Sequence, residues 1–379
     1  MDYPIQTIFR RFYPDYLKAY EPTFEQNKVA NDIIRCKTPA MGANVKICED
    51  CGHVDIHYNS CRNRHCPCCQ GLTKEKWIDQ RKADVVDAPY FHVVFTLPEE
   101  LNPLIYANKK LLYDLMYQTS ADTLKTLAAD PKYLNASIGF MSILHTWSQT
   151  LSFHPHIHCI VLGGGLTKDL KFNRADDDFL FPIRVVSKLF RKKFLNGIKS
   201  LYASGKLSFA GSSLSLRNSY CFNELLDVVY DKDWIPHIKE PFGGASQVIE
   251  YLGRYTHRIA ISNARILSVS EEAIRFHARA RKKGDKKIVV TLSPVEFIRR
   301  FLMHVLPGRF VKIRHFGIFS NRTKKVKLLI CRNIVRGMYQ KPLLQGLSTA
   351  EILKKLFDIN IYQCPCCKGT NLKPYHRLE

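Results

Sequence analysis

Three groups of side chains in this chain have types and spacings that can do chemistry. His154, His156 and His158 occupy alternate positions of the apolar run FHPHIHCIV. On an extended strand alternate residues share a face, so the three imidazoles stand together while Ile157 and Cys159 point the other way. Neighbouring buried imidazoles are costly unless something holds them neutral, and a divalent metal does that. In GASQVIEYLGRYTHR, Tyr251 and Tyr255 lie one helical turn apart on one face, with Gln247 a turn earlier and Arg254 and Arg258 flanking. A phenol can attack a phosphodiester and become a covalent phosphotyrosine. A divalent metal can offset the charge that develops, and arginines can clamp the phosphate oxygens. Two tyrosines allow two successive transfers without leaving the site.

The third group is cysteine. Of 13 cysteines, seven lie between Cys36 and Cys69 and three between Cys364 and Cys367. Clusters of this kind in a large chain without a secretory signal indicate metal sites rather than disulfides. Cys48-x2-Cys51 and Cys66-x2-Cys69, with 14 residues between them, each suit a tight turn, and together they are expected to hold one tetrahedral Zn²⁺. Four thiolates leave no open position, so this zinc is structural. Cys36, Cys61 and His65 are spare donors for a second site, with His53 outside them, and Cys68 competes with Cys69 for the fourth place. CPCCKG repeats the knuckle pattern with Cys364 and Cys367. It is half a site, to be completed by His376, Cys366 or spare cysteines of the first module.

The elements that must position these groups follow from hydrophobic periodicity. Residues 1–35 are expected to be helical and amphipathic, with Ile5, Ile8, Phe9 and Phe12 at helical spacing. The stretch 74–86 also has a helical pattern. YFHVVFTLP (90–98) is β-branched and aromatic and is stopped by Pro98, which makes it a core strand. Residues 101–130 are expected to be helical, 136–147 and 154–165 to be strands, and SKLFRKKFLNGIKSLYASG a basic helix. Residues 243–258 should form the tyrosine helix, 286–293 a strand, and 294–307 a helix bounded by prolines.

Bulk composition sets the partner. A formal net charge of +23 favours a polyanion, most simply nucleic acid. No segment approaches about 18 uncharged apolar residues, and the first residues lack the apolar core of a secretory signal. A cytoplasmic protein without a membrane partner is expected. IRFHARARKKGDKK (274–287) holds seven Lys and Arg, among them Arg279, Arg281, Lys282 and Lys283, with Phe276 and His277 interleaved. Such a mixture neutralises phosphates and can stack unpaired bases. RFVKIRHFGIFSNRTKK repeats it with Phe310, Phe316 and Phe319, which suit a core equally well. The chain divides into a helical segment (1–35), a zinc-binding module (36–75), a core (85–265) and a basic C-terminal region ending in the cysteine knuckle (266–379).

His156-Ile157-His158 matches the His-hydrophobe-His motif of the HUH endonuclease superfamily. With NSCRNRHCPCCQ, YFHVVFTLP, YLGRYTHRIAISN and EFIRRFLMHVLPGRFVKIRHFG, the chain resembles the two-tyrosine transposases of rolling-circle insertion sequences over about residues 36–320. It departs from that family's pattern at Cys68, where a charged residue is more usual. The resemblance implies an α/β (α+β) fold: an HUH core with an antiparallel sheet in a split βαβ-like arrangement, in which YFHVVFTLP pairs beside the histidine strand. It also implies that His156 and His158 bind Mg²⁺ or Mn²⁺. Tyr251 or Tyr255 would attack single-stranded DNA, leaving a 5′-phosphotyrosine and a free 3′-OH, and the other tyrosine would serve the second cleavage or strand transfer. The third metal ligand is assigned to Gln247, with Glu250, His257 and His154 as rivals. The implied partner is DNA, as single-stranded or hairpin ends of a mobile element. The alternatives are an HUH replication initiator or relaxase, a non-catalytic zinc-containing DNA-binding protein, and a zinc hydrolase using the three histidines directly. No GxxxxGK[ST] run is present, so no helicase of that type is attached.

Overall fold

Period-two alternation in YFHVVFT sends Phe91, Val93 and Phe95 to one side of a strand and His92, Val94 and Thr96 to the other. In the computed structural model of the chain, which describes residues 3–239, 247, 249, 250, 253, 260–280, 286–335 and 341–378, that division organises the largest sheet. The strands in chain order are β1 (Ala43–Cys48), β2 (Val54–Tyr58), β3 (Tyr90–Thr96), β4 (Ser137–Trp147), β5 (Phe153–Leu166), β6 (Phe172–Arg174), β7 (His237–Lys239), β8 (Ile266–Val269), β9 (Ile274–Ala280), β10 (Lys286–Leu292), β11 (Ile313–Gly317) and β12 (Leu372–Leu378). They form three antiparallel sheets, so the fold is mixed α/β, as expected. Among the described residues no helix is long and apolar enough to cross a membrane.

Two compact units share the chain, each assembled from segments distant in sequence. One comprises residues 81–252 and 306–340 and holds the sheet β11-β4-β5-β3-β7, with β6 paired to β5. β3 pairs directly with β5, the expected neighbour of the histidine strand. One face of this sheet is apolar: Phe91, Val93 and Phe95 of β3, Phe140 and Leu144 of β4, and Ile157, Cys159 and Val161 of β5 join one buried cluster with Leu112, Met116, Phe190 and Phe194. The last four come from the helices Lys109–Ala129 and Ile183–Ala203, which cover that face. At the sheet edge Gly317 has φ +59°, and a Cβ there would stand 1.8 Å from the Ile138 carbonyl oxygen. Only glycine lets β11 close against β4 at that point.

The other unit comprises residues 1–80, 253–305 and 341–379. The amphipathic segment 1–35 is two helices, Pro4–Ala19 and Phe24–Arg35. The second starts at a capping box in which Thr23 and Gln26 satisfy each other's backbone N–H groups. Phe9 packs edge-on against Phe301 of the helix Pro294–Met303 at 5.2 Å between ring centroids, and the Gln26 side chain donates to the Leu302 carbonyl at 2.9 Å. Two small sheets complete this unit, β12-β1-β2 and β10-β9-β8.

Phe95 is fully buried, 4.8 Å from Phe190 between centroids. Phe95→Ala leaves a cavity at the centre of the larger unit's core. We expect it to cost about 3–5 kcal/mol in a denaturant titration, against little change for a substitution at exposed Tyr220.

Candidate functional site

The sheet face opposite the apolar core carries the histidines. Register places His145 of β4 directly opposite His156 of β5, and Val94 of β3 opposite His158, so His92, two residues before Val94, shares that face. His145, His156 and His158 are all buried, and their nearest ligating nitrogens lie within 4.8 Å of one another. Ring centroids are 5.4 Å apart for His145–His156, 4.3 Å for His145–His158 and 4.7 Å for His156–His158.

Hydrogen bonds set the roles of the ring nitrogens. Nδ1 of His156 lies 2.7 Å from the backbone oxygen of His154. A carbonyl oxygen only accepts, so Nδ1 carries the proton and Nε2 is the nitrogen that can take a cation. Nδ1 of His158 lies 2.7 Å from Nε2 of His92, the two rings nearly parallel at 12°. That contact occupies Nδ1 and leaves Nε2 of His158 for ligation. Around them, Trp147 stacks on His145 at 4.8 Å and the Lys312 ammonium lies 5.0 Å from the Trp147 ring centroid. A donor set of neighbouring imidazoles with tautomers fixed from behind fits a divalent transition metal.

The third imidazole of this cluster is His145, a residue that reading the sequence passed over, and His92 was missed with it. Each is a single histidine within an apolar strand, a pattern that by itself signals nothing. Only register brings them to His156 and His158. Gln247, the expected third ligand, is exposed. Among its rivals, Glu250 is ion-paired with Lys82, and the His154 carbonyl accepts from Nδ1 of His156 while its ring lies 5.0 Å from the His156 ring between centroids. Tyr251, Tyr255, Arg254, Arg258 and His257 lie outside the described residues, as do Arg281, Lys282 and Lys283.

Another polar cluster occupies the same sheet face. His315 of β11 pairs in register with Met141 of β4. Arg81 donates to Nε2 of His315 at 3.2 Å, while Asp84 bridges Arg81 at 3.0 Å and Lys324 at 2.9 Å. Burial, reinforced by the charges of Arg81 and Lys324, pushes the His315 imidazole down to about 4.

The cysteines sort differently from the expected pairing. Cys48 and Cys51 do not share a cluster with Cys66 and Cys69. One cluster is Cys36, Cys61, Cys66 and Cys69, and the other is Cys48, Cys51, Cys364 and Cys367. The hairpin β1–β2 explains the separation. β1 has six residues, so at about 3.3 Å per residue its ends stand roughly 17–20 Å apart. Cys48 closes one end, while Cys36 and Cys61 flank the other, where Lys37 N–H donates to Asn59 O at 3.0 Å. A zinc–sulfur bond of about 2.3 Å cannot serve both ends. In the first cluster Sγ of Cys61 and Cys69 are 3.8 Å apart, and backbone N–H groups of Cys61 and Asn63 point at the Cys36 and Cys61 sulfurs at 3.5 Å. Hydrogen bonds from Cys61, then Cys66 and Cys69, push the Cys36 thiol far below its ordinary range, and the Cys66 thiol is driven up, chiefly by Cys36. A divalent cation removes that conflict by accepting all four as thiolates. His65 stays outside the cluster, its Nδ1 3.1 Å from Asn63 Oδ1. In the second cluster burial raises the Cys364 thiol, but the N–H groups of Cys367 and Cys366 and the Cys51 and Cys48 thiols outweigh it and bring it down to about 6.

Of the expected DNA-contacting residues, Arg279 is described and exposed on β9, beside Lys287 of β10. Phe276 is not a stacking platform: it is fully buried and meets Phe297 edge-on at 5.9 Å. Phe310, Phe316 and Phe319 are likewise structural, packed on Tyr113, Phe140 and Tyr90.

Comparison with known proteins places these features in context. Residues 8–97 match the family described as "Transposase zinc-binding domain", and residues 139–327 match the family described as "Putative transposase". The chain is 40% identical over 368 residues to "Putative transposase y4qJ" of Sinorhizobium fredii (strain NBRC 101917 / NGR234), covering 96% of this chain and 92% of that protein. It is 25% identical over 351 residues to "Transposase for insertion sequence element IS801" of Pseudomonas savastanoi pv. phaseolicola, covering 88% and 80%. No solved structure matches the chain.

Two measurements check this geometry. Long-range ¹H–¹⁵N correlation spectra of the metal-free protein should show His156 as the Nδ1–H tautomer. An Nε2–H signal would contradict the hydrogen bond to His154. His315 is held neutral in the folded state, with a pKa near 4 against about 6.5 when unfolded. Its contribution is therefore complete above pH ~6.5 and lost as pH falls towards 4. His315→Gln should remove roughly 2–3 kcal/mol of the acid-dependent loss of stability across that window, read from urea midpoints.

Proposed function

The chain belongs to the transposase family that carries a zinc-binding domain, and on that premise we propose that it cleaves and rejoins single-stranded DNA at the ends of an insertion sequence through a covalent 5′-phosphotyrosine. The observation that carries the reading is the buried cluster His145, His156 and His158 on the open face of an antiparallel sheet. A family acting on DNA has a use for a cation beside a phosphodiester, and this cluster offers three imidazole nitrogens that could hold one.

In this reading Tyr251 and Tyr255 are the nucleophiles. The phenol oxygen of one forms a new bond to phosphorus while the bond from phosphorus to the 3′ oxygen breaks. The phenol loses its proton, and the departing strand ends as a 3′-OH. The second tyrosine, four residues away in the sequence, performs the second cleavage or receives the transferred strand. His145, His156 and His158 would hold Mn²⁺ or Mg²⁺, with His145 in the place first given to Gln247. An all-imidazole set favours Mn²⁺, because Mg²⁺ seeks oxygen ligands. When bound, the cation offsets negative charge on the scissile phosphate. His92 and the His154 carbonyl fix the ring orientations of His158 and His156. Arg254 and Arg258 would clamp phosphate oxygens, and Arg279, Arg281, Lys282 and Lys283 would neutralise the backbone beyond. The thiolate clusters supply structural Zn²⁺ rather than chemistry.

A single-stranded oligonucleotide from the element's end, labelled at its 3′ end and incubated with Mn²⁺, should yield a protein–DNA adduct that survives denaturant. Tyr251→Phe with Tyr255→Phe should abolish it. His145→Ala should lower both adduct yield and Mn²⁺ affinity by at least about tenfold. Failure to form any adduct with either cation would sink the covalent mechanism, and undiminished cleavage in the double Phe variant would point to hydrolysis instead.

A further inference from the structure

The second cysteine cluster joins segments that are far apart in the chain. Cys48 and Cys51 lie at the tip of the hairpin β1–β2, and Cys367 is 319 positions beyond Cys48. The two C-x2-C turns have the same internal construction. In the first, Gly52 N–H donates to Cys48 O at 2.8 Å and Cys48 N–H to His53 O at 2.9 Å. In the second, Lys368 N–H donates to Cys364 O at 3.0 Å and Cys364 N–H to Gly369 O at 2.8 Å. The residue after each second cysteine is left-handed, with φ +71° at Gly52 and +63° at Lys368. Each turn therefore aims two sulfurs in one direction, and the two turns face each other.

The facing distances test for a metal. Sγ of Cys48 lies 3.6 Å from that of Cys367, and Sγ of Cys51 lies 3.7 Å from that of Cys364. Tetrahedral zinc with bonds of about 2.3 Å sets sulfurs about 3.8 Å apart, whereas a disulfide needs about 2.0 Å. The surrounding contacts brace the same approach. β12 pairs antiparallel with β1, Cys48 opposite Leu372. Asn371 Nδ2 donates to Asp50 Oδ1 at 2.7 Å, and Lys373 pairs with Glu49 at 2.8 Å. At Gly369 a Cβ would stand 2.3 Å from Asp50 Oδ2, so a side chain there would displace the Asp50 carboxylate from the turn.

We propose that Cys48, Cys51, Cys364 and Cys367 form a second, independent structural Zn²⁺ site that fastens the strand Leu372–Leu378 to the hairpin β1–β2. Binding displaces the thiol protons to solvent and leaves four thiolates on the metal, with no position open for substrate. The site does not depend on the DNA chemistry proposed above. Its partner cluster, Cys36, Cys61, Cys66 and Cys69, holds the other zinc at the far end of the hairpin.

Zinc content of the purified full-length chain tests this directly. Elemental analysis should give two equivalents per chain. Cys364→Ser with Cys367→Ser should give one, as should Cys66→Ser. One equivalent in the unaltered chain, or two retained in the Cys364/Cys367 variant, would overturn the proposal. Because either variant could lose its fold, a second measurement uses the unaltered protein. X-ray absorption at the zinc edge should show an average of four sulfur ligands near 2.3 Å at two-equivalent loading. Mixed nitrogen or oxygen ligation there would refute it.

Discussion

A nitrogen lone pair on a buried imidazole needs a proton donor or a cation within reach, because nothing else in a dry interior replaces water. His145, His156 and His158 meet that need together and shape the sheet around them. One face of β3, β4 and β5 is largely apolar and seats the helices Lys109–Ala129 and Ile183–Ala203. The pleat then delivers every remaining side chain to the other face, where the imidazoles converge. A one-residue slip between β4 and β5 would turn His145 into the core and bury an imidazole among phenylalanines. Register is thus set from both sides, by the hydrophobic set on one face and the buried imidazoles on the other.

The same logic, with sulfur in place of nitrogen, governs the smaller module. A stretch rich in Cys, Asn and Gly has too few apolar side chains to hold itself together, and the hairpin β1–β2 exposes Val54 and Ile56 rather than burying them. Its order comes from its two ends, where thiolates gather. Local N–H···S contacts position the Cys36 and Cys61 sulfurs, and the short strand between the ends makes the two clusters separate structural elements.

Much of this was legible in the sequence. The strands at 90–96, 137–147 and 153–166 declare themselves by β-branched and aromatic content, and His156 and His158 by their spacing. The cysteine turns are equally plain. What spacing cannot convey is which turn faces which, or which strand lies beside which. Cys48 and Cys66 look like natural partners because they are close in sequence, yet the hairpin carries them to opposite ends. His145 and His92 are single letters in apolar runs, and only pairing in the sheet reveals them. Phe276 has the composition of a base-stacking residue, but it sits on the inward side of a period-two strand, with Arg275 and Arg279 on the outward side. Gln247 stands out by its spacing from Tyr251 and Tyr255 in the sequence, and spacing says nothing about which sheet a side chain meets.

The pairing of β12 with β1 has a consequence for the order in which the molecule is made. β1 leaves the ribosome early, with β2 already at one of its edges, but its other edge has no partner until more than 320 further residues have followed. Contacts of such sequence separation form late and slowly. The open edge and the half-filled cysteine turn must persist throughout synthesis, so this unit cannot finish folding before the entire histidine-bearing unit has been made. A chain cut short between residues 340 and 372 would contain every strand of the largest sheet but lack the last strand of the cysteine-bearing one. The sheet β12-β1-β2 thus cannot close until β12 has been made.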